Sequence, residues 1–148
     1  PNPVVARNSA TAPSGFTCET WAALIVPTTT TVIAGQTSEL IYGQVHVLGV
    51  TEAAGLPPGI LGEVGYGPLN TDPRTAPDWH WFSTTWNLQV GNNDEFKGSL
   101  IVPAIGTYSY VYRFSDDGGS TFFMYGDVAP GSADGFSVDD MGTITVSL

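Results

Sequence analysis

Cysteine is almost absent from this 148-residue chain: Cys18 stands alone, so no internal disulfide supports the fold, and the thiol is either free or paired between molecules. Basic residues are nearly as scarce. Four Lys and Arg face fourteen Asp and Glu, and the resulting formal charge of −10 repels phosphate backbones and anionic lipid, which argues against nucleic-acid and membrane-surface partners. Charged residues make up only 12% of the chain, so solubility rests on Ser, Thr, Asn, Gln and Gly, a surface typical of extracellular β proteins. No apolar run approaches the roughly 20 residues that span a bilayer as a helix, and membrane insertion is not expected. Neither does a basic-then-apolar leader precede the first strand. The opening at Pro1 reads as the mature form of an exported precursor, placing the protein outside the cell or on its surface.

Histidine is equally sparse. His46 and His80 each fall within an apparent strand among Val and Trp, with no metal-ligand spacing between them. No nucleophile elbow or Cys–His pairing is legible, and Gly65-Tyr66-Gly67-Pro68 reads as a turn, because no helix follows to make it a phosphate cradle. The expectation is a protein that is not an enzyme and holds no cofactor.

What the chain does contain is strand and turn. A domain of this length buries roughly 70% of the surface its unfolded chain exposes. Residues 1–18, with Pro1, Pro3, Pro13 and Gly15, read as an extended N-terminal arm, and residues 19–148 as a single β domain. Short β-branched or aromatic runs follow, each closed by Gly, Pro, Asn or Asp: Trp21 to Val26, Glu39 to Val50, Ile60 to Tyr66, Trp79 to Val90, Glu95 to Val102, Thr107 to Ser115, Thr121 to Tyr125 and Thr143 to Leu148. This spacing predicts an all-β, immunoglobulin-like antiparallel sandwich of seven to eight strands. Alternation puts Tyr108, Tyr110, Tyr112 and Phe114 on one face, and Ile144, Val146 and Leu148 inward on the last strand. Tyr108, opening its strand as Gly-Thr-Tyr, has the pattern of a tyrosine corner. Asp116-Asp117-Gly118-Gly119 is the hairpin turn that follows.

From Trp21 onward the chain resembles an immunoglobulin-like accessory module of secreted and surface proteins of myxobacteria and related bacteria. The phrases that carry the likeness are Ser38-Glu39, Tyr42-Gly43-Gln44-Val45, Gly49-Val50-Thr51, Gly65-Tyr66-Gly67-Pro68, Asp72-Pro73, Trp79 with Trp81, Asn93-Asp94-Glu95-Phe96, the stretch from Gly106 to Ser115, Asp117-Gly118-Gly119 and Gly142-Thr143-Ile144-Thr145-Val146. The resemblance implies a β-sandwich without chemistry of its own and no particular ligand. It also implies a Cys pair at two positions that are Ala22 and Gly126 here, which is what loss of one disulfide would look like.

Two residue groups invite a functional reading. Asp116, Asp117, Asp127, Asp134, Asp139 and Asp140 cluster late among Gly and Ser; such loops can offer calcium its hard oxygen ligands, or form a solvated acidic rim. Trp79 and Trp81 alternate onto one face, with His80 and Phe82 on the other, which Trp86 joins. Both faces cannot be core, so one aromatic set packs inside while the other meets a subunit, the arm or a stacked sugar ring. Two functions follow as expectations. The first is an extracellular structural subunit, a homo-oligomer or homopolymer that assembles into a fibre, sheath or surface layer by strand pairing through its arm, with Pro3, Val4, Val5, Phe16 and Cys18 as the contact residues. The second is a carbohydrate-binding or adhesive accessory module of a larger secreted protein.

Overall fold

The computed structural model describes residues 20–122, 124–128 and 136–148. The arm residues Pro3, Val4, Val5, Phe16 and Cys18, the arm boundary at residue 18, and Asp134 lie outside the described residues.

Ten strands are described: β1 (Trp21–Val26), β2 (Thr29–Ile33), β3 (Ile41–His46), β4 (Leu61–Pro68), β5 (His80–Ser83), β6 (Thr85–Val90), β7 (Asn93–Gly98), β8 (Gly106–Ser115), β9 (Met124–Gly126) and β10 (Gly142–Ser147). One sheet has the order β1-β3-β7-β6; the other runs β2-β10-β8-β4-β5, with β9 also on β8. These are the two sheets of an immunoglobulin-like sandwich, and the chain is all-β as its composition predicts. The helical segment among the described residues is a single 3-10 turn, Val138–Asp140, so none is long and apolar enough to cross a membrane.

Five details depart from the sequence reading, the first being the count, ten strands where seven to eight are expected. The run from Trp79 to Val90 is two strands in different sheets, divided at Thr84, whose hydroxyl and amide both bond the Gly62 carbonyl. Gly65–Pro68 is not a turn but the second half of β4. The Thr-rich segment Thr29–Ile33, which falls outside every run read from the sequence, is strand β2, paired parallel to β10, so the sandwich is not wholly antiparallel. β-branched Thr suits a pleated edge even without an apolar face, and only Thr30 of this strand is buried. Finally, Leu148 lies beyond the end of β10 and is exposed, while Ile144 and Val146 are buried as alternation requires.

Tyr110, Tyr112 and Phe114 fill the centre of the core with no exposed surface. Tyr112 reaches from β8 across to the opposite sheet, where its hydroxyl donates to the carbonyls of Ile41 on β3 and Phe96 on β7. Tyr110 donates to the Pro27 carbonyl between β1 and β2. Burial pushes both phenols well above their ordinary value, so they remain donors throughout the accessible pH range. The sheets are thus tied by two buried phenols in a domain with no internal disulfide. Room for Tyr112 comes from Gly43, where a Cβ would sit 2.4 Å from the ring.

The Tyr108 hydroxyl donates to the Ala104 carbonyl at 3.0 Å, four residues upstream, which is the geometry of a tyrosine corner. Because that bond is exposed to water, Tyr108→Phe is expected to cost only about 0.5–1 kcal/mol. A denaturant midpoint at unchanged slope measures it; a loss above about 2 kcal/mol would mean that the hydroxyl anchors more than this corner.

Candidate binding face

The side chains with the clearest capacity for contact lie on the outer face of the six-stranded sheet. In β4 the inward residues Gly62, Val64 and Tyr66 alternate with Glu63, Gly65 and Gly67 outside. Gly65 pairs with Trp81 on β5, and Gly67 lies one step further along toward Trp79. A Cβ on Gly65 would fall 2.4 Å from the Trp81 indole, and one on Gly67 would fall 2.4 Å from that of Trp79. Both indoles therefore lie flat on bare backbone. The rings run side by side, 5.6 Å apart and within 24° of parallel. The Trp79 Nε1–H donates to the Thr71 hydroxyl at 3.0 Å, which fixes the outer ring in its plane.

Trp81 is clamped on its far side. The Arg113 guanidinium sits 3.9 Å from its centroid and 4.1 Å from that of Phe122, between the two rings. Two hydrogen bonds to Glu63 Oε1, at 3.0 and 2.7 Å, hold that guanidinium in place. Tyr125 meets Trp81 edge-on and in turn meets Phe136, over which Arg74 lies at 4.8 Å. Arg74 is itself forked onto Asp72 at 2.9 and 2.8 Å, and this contact holds the Asp72 carboxyl below the usual carboxylate range. Arg74 and Arg113, half of the chain's four basic residues, are spent here, and each is neutralised by its own carboxylate. The surface is consequently rigid, aromatic and locally close to neutral on a strongly acidic protein.

Of the other aromatics of the run, Phe82 and Trp86 pack against the core, while His80 is exposed. His80 and Phe82 stack on Tyr66 at 5.1 and 6.2 Å, and Trp86 donates its Nε1–H to Asp94 at 2.8 Å. Trp79 and Trp81 thus lie outside and Trp86 inside, but Trp86 does not join the face of His80 and Phe82: it stands on β6 in the opposite sheet. His46 lies 3.3 Å from Glu52, so both histidines have structural neighbours.

Among the described residues, Asp117 stands apart from the aspartates that follow β9. Asp117 closes its own hairpin, accepting from Ser115 Oγ at 2.6 Å, Thr121 N at 2.9 Å and Thr121 Oγ1 at 2.6 Å, and these donors hold its carboxyl far below the usual range. Gly118 and Gly119 follow with φ of +74° and +100°, as the turn requires. Asp127 lies beyond β9, where it accepts from the Ser137 amide at 3.0 Å at the start of the 3-10 turn that carries Asp139 and Asp140. Among the described residues no three His, Cys, Asp or Glu side chains gather into a metal-sized group.

Sequence reasoning missed the ladder of Arg113, Phe122, Tyr125, Phe136 and Arg74. The available signal was the pairing of two spaced glycines, Gly65 and Gly67, with two equally spaced tryptophans, Trp79 and Trp81, one strand later.

No family model matches the chain. Over 114 residues, 67% of this chain, it is 24% identical to 8% of an amylopullulanase of Thermoanaerobacter thermohydrosulfuricus. Over 96 residues, 55% of this chain, it is 26% identical to 5% of an amylopullulanase of Thermoanaerobacterium thermosulfurigenes. The chain therefore spans less than a tenth of the length of the curated relatives it matches.

Proposed function

We propose that this domain is a non-catalytic accessory module of a larger secreted protein, and that it binds neutral glucan chains on the outer face of Trp79. The observation that carries the reading is the Trp79–Trp81 surface, two indoles laid on glycine backbone and locked by Thr71 and Arg113. A ring ordered before binding loses little entropy when a sugar stacks on it, and the paired arginines leave no excess charge to desolvate. Similarity to small portions of very long amylopullulanases supports the module, and their name points to starch-type and pullulan α-glucans as the ligand class. Within this surface Trp79 is the contact residue, and Trp81, covered by Arg113, is the positioning residue.

Native gel electrophoresis through pullulan or amylopectin tests this. The protein should be retarded, and Trp79→Ala should weaken binding at least about tenfold, equivalent to roughly 1.4 kcal/mol. Trp86→Phe should retain it. A wild-type protein that migrates unaffected through these and other neutral polysaccharides, while light scattering shows long regular particles, would replace this reading with self-assembly through residues 1–18.

A further inference from the structure

The interior of the four-stranded sheet holds an arrangement that an ionised carboxylate does not satisfy. Asp94 on β7 has no exposed surface, and its Oδ1 accepts the Trp86 indole N–H while its Oδ2 has no hydrogen-bond partner among the described residues. Directly across the ladder is Gln89 on β6, on the same face, and its Oε1 is likewise buried without a partner. The orientation of this amide is fixed. Its Nε2 donates to the carbonyls of Thr51 at 2.7 Å and Gly91 at 2.8 Å, and turning it over would set oxygen against two carbonyl oxygens.

Two acceptor oxygens thus occupy paired positions, buried, with no donor for either among the described residues. An unmade hydrogen bond in such a place is costly, and a buried charge without a partner more so. We propose that Asp94 is carried as the neutral acid in the folded protein, its Oδ2–H donated to Oε1 of Gln89. One proton then satisfies both oxygens, and Trp86 is held through the Oδ1 of the same group.

The electrostatic surroundings agree. Burial pushes the Asp94 carboxyl up from its ordinary value, and the Trp86 hydrogen bond opposes this less strongly. Other titratable groups on the adjoining elements are turned away or engaged elsewhere. Glu95, next along β7 and on its opposite face, accepts from Gln44 and Asn87. His46 on β3 and Glu52 in the following loop face each other. Lys97 shares the outward face of β7, and Glu63 and Arg113 on the facing sheet pair on its outer surface.

The sign of the pH dependence follows. A carboxyl whose folded value is raised binds its proton more tightly when folded. Its contribution to stability is therefore complete in acid, and is lost as pH rises from the unfolded value, about 3.9, toward the folded one. Asn has the shape of the neutral acid and keeps both bonds, its oxygen facing Trp86 and its NH2 facing Gln89.

Carboxyl carbon NMR of the intact protein labelled at Asp tests the proposal directly. The Asp94 signal should remain at its protonated position at a pH where ordinary solvated carboxyls are fully ionised. In parallel, Asp94→Asn should melt with wild type near pH 3 and increasingly above it toward pH 7. An Asp94 signal that titrates with the exposed carboxyls would overturn the proposal. So would an Asp94→Asn variant that melts below wild type at pH 7, and so would a melting temperature lowered by chelator in wild type but not in that variant, since a bound cation would then fill the place assigned to the proton.

Discussion

Gly43→Ala is expected to destabilise the domain by about 3 kcal/mol, in the upper part of the range for overpacked cores. The added methyl would stand 2.4 Å from Cγ of Tyr112, a ring that cannot retreat. Its hydroxyl is bonded to two carbonyls in the opposite sheet, and its face is stacked on Phe114 at 5.6 Å. For a domain of this size the loss corresponds to a fall in Tm of roughly 6–12 °C. If the clash is the cause, the effect should depend on Tyr112. In a Tyr112→Ala background, itself severely destabilised, the further cost of Gly43→Ala should nearly vanish, giving strong non-additivity in the double-mutant cycle. Additive losses would mean that Gly43 matters for backbone reasons and not as the seat of the phenol.

Gly126→Ala is expected to cost about 2–3 kcal/mol by a different route. Here the methyl would meet backbone, with N, C and Cα of Ala23 all within 2.9 Å. The close approach exists because β9 leaves its hairpin and crosses onto β1, where the Leu24 amide donates to the Asp127 carbonyl at 2.8 Å and Leu24 bridges Val128 in parallel. Hydrogen exchange should show the Leu24 amide losing protection in this variant, while amides in the β3–β7 ladder keep theirs. Equal loss in both places would indicate global destabilisation, without a local seam between β1 and β9. The same geometry bears on the resemblance set out above: at Gly126 the approach of Ala23 leaves no space for a cysteine side chain unless one strand moves.

Much of the architecture was legible because its core obeys period-two patterning. The strand from Gly106 to Ser115 declares its buried face through Tyr110, Tyr112 and Phe114, and Ile144 and Val146 do the same for β10. The elements that escaped lack that signal. Thr29–Ile33 is polar and forms an edge strand through backbone pairing, and the break at Thr84 is invisible because residues of strand type continue across it, from Trp81 and Phe82 to Thr85 and Trp86. Two glycines mislead: Gly65 and Gly67, which read as part of a turn, lie within β4. Like Gly43 and Gly126, they stand in strands where another part of the chain takes the space of a side chain. Alternation sets Trp79 and Trp81 on one face, but Trp86 stands in the other sheet after the break at Thr84, and the Arg113 and Arg74 stacks depend on long-range packing that no local pattern encodes.

Trp79, half-buried on the outer face and held by Thr71, is the preorganised contact, and the four indole N–H signals from Trp21, Trp79, Trp81 and Trp86 report on it individually. Titration of a pullulan-derived or starch-derived oligosaccharide, followed by two-dimensional nitrogen–proton NMR, should move the Trp79 signal most and that of Trp81 less. The Trp86 signal, bonded to Asp94 inside the sandwich, should stay where it is. A titration in which no indole signal moves, or in which Trp86 responds as strongly as Trp79, would contradict this assignment.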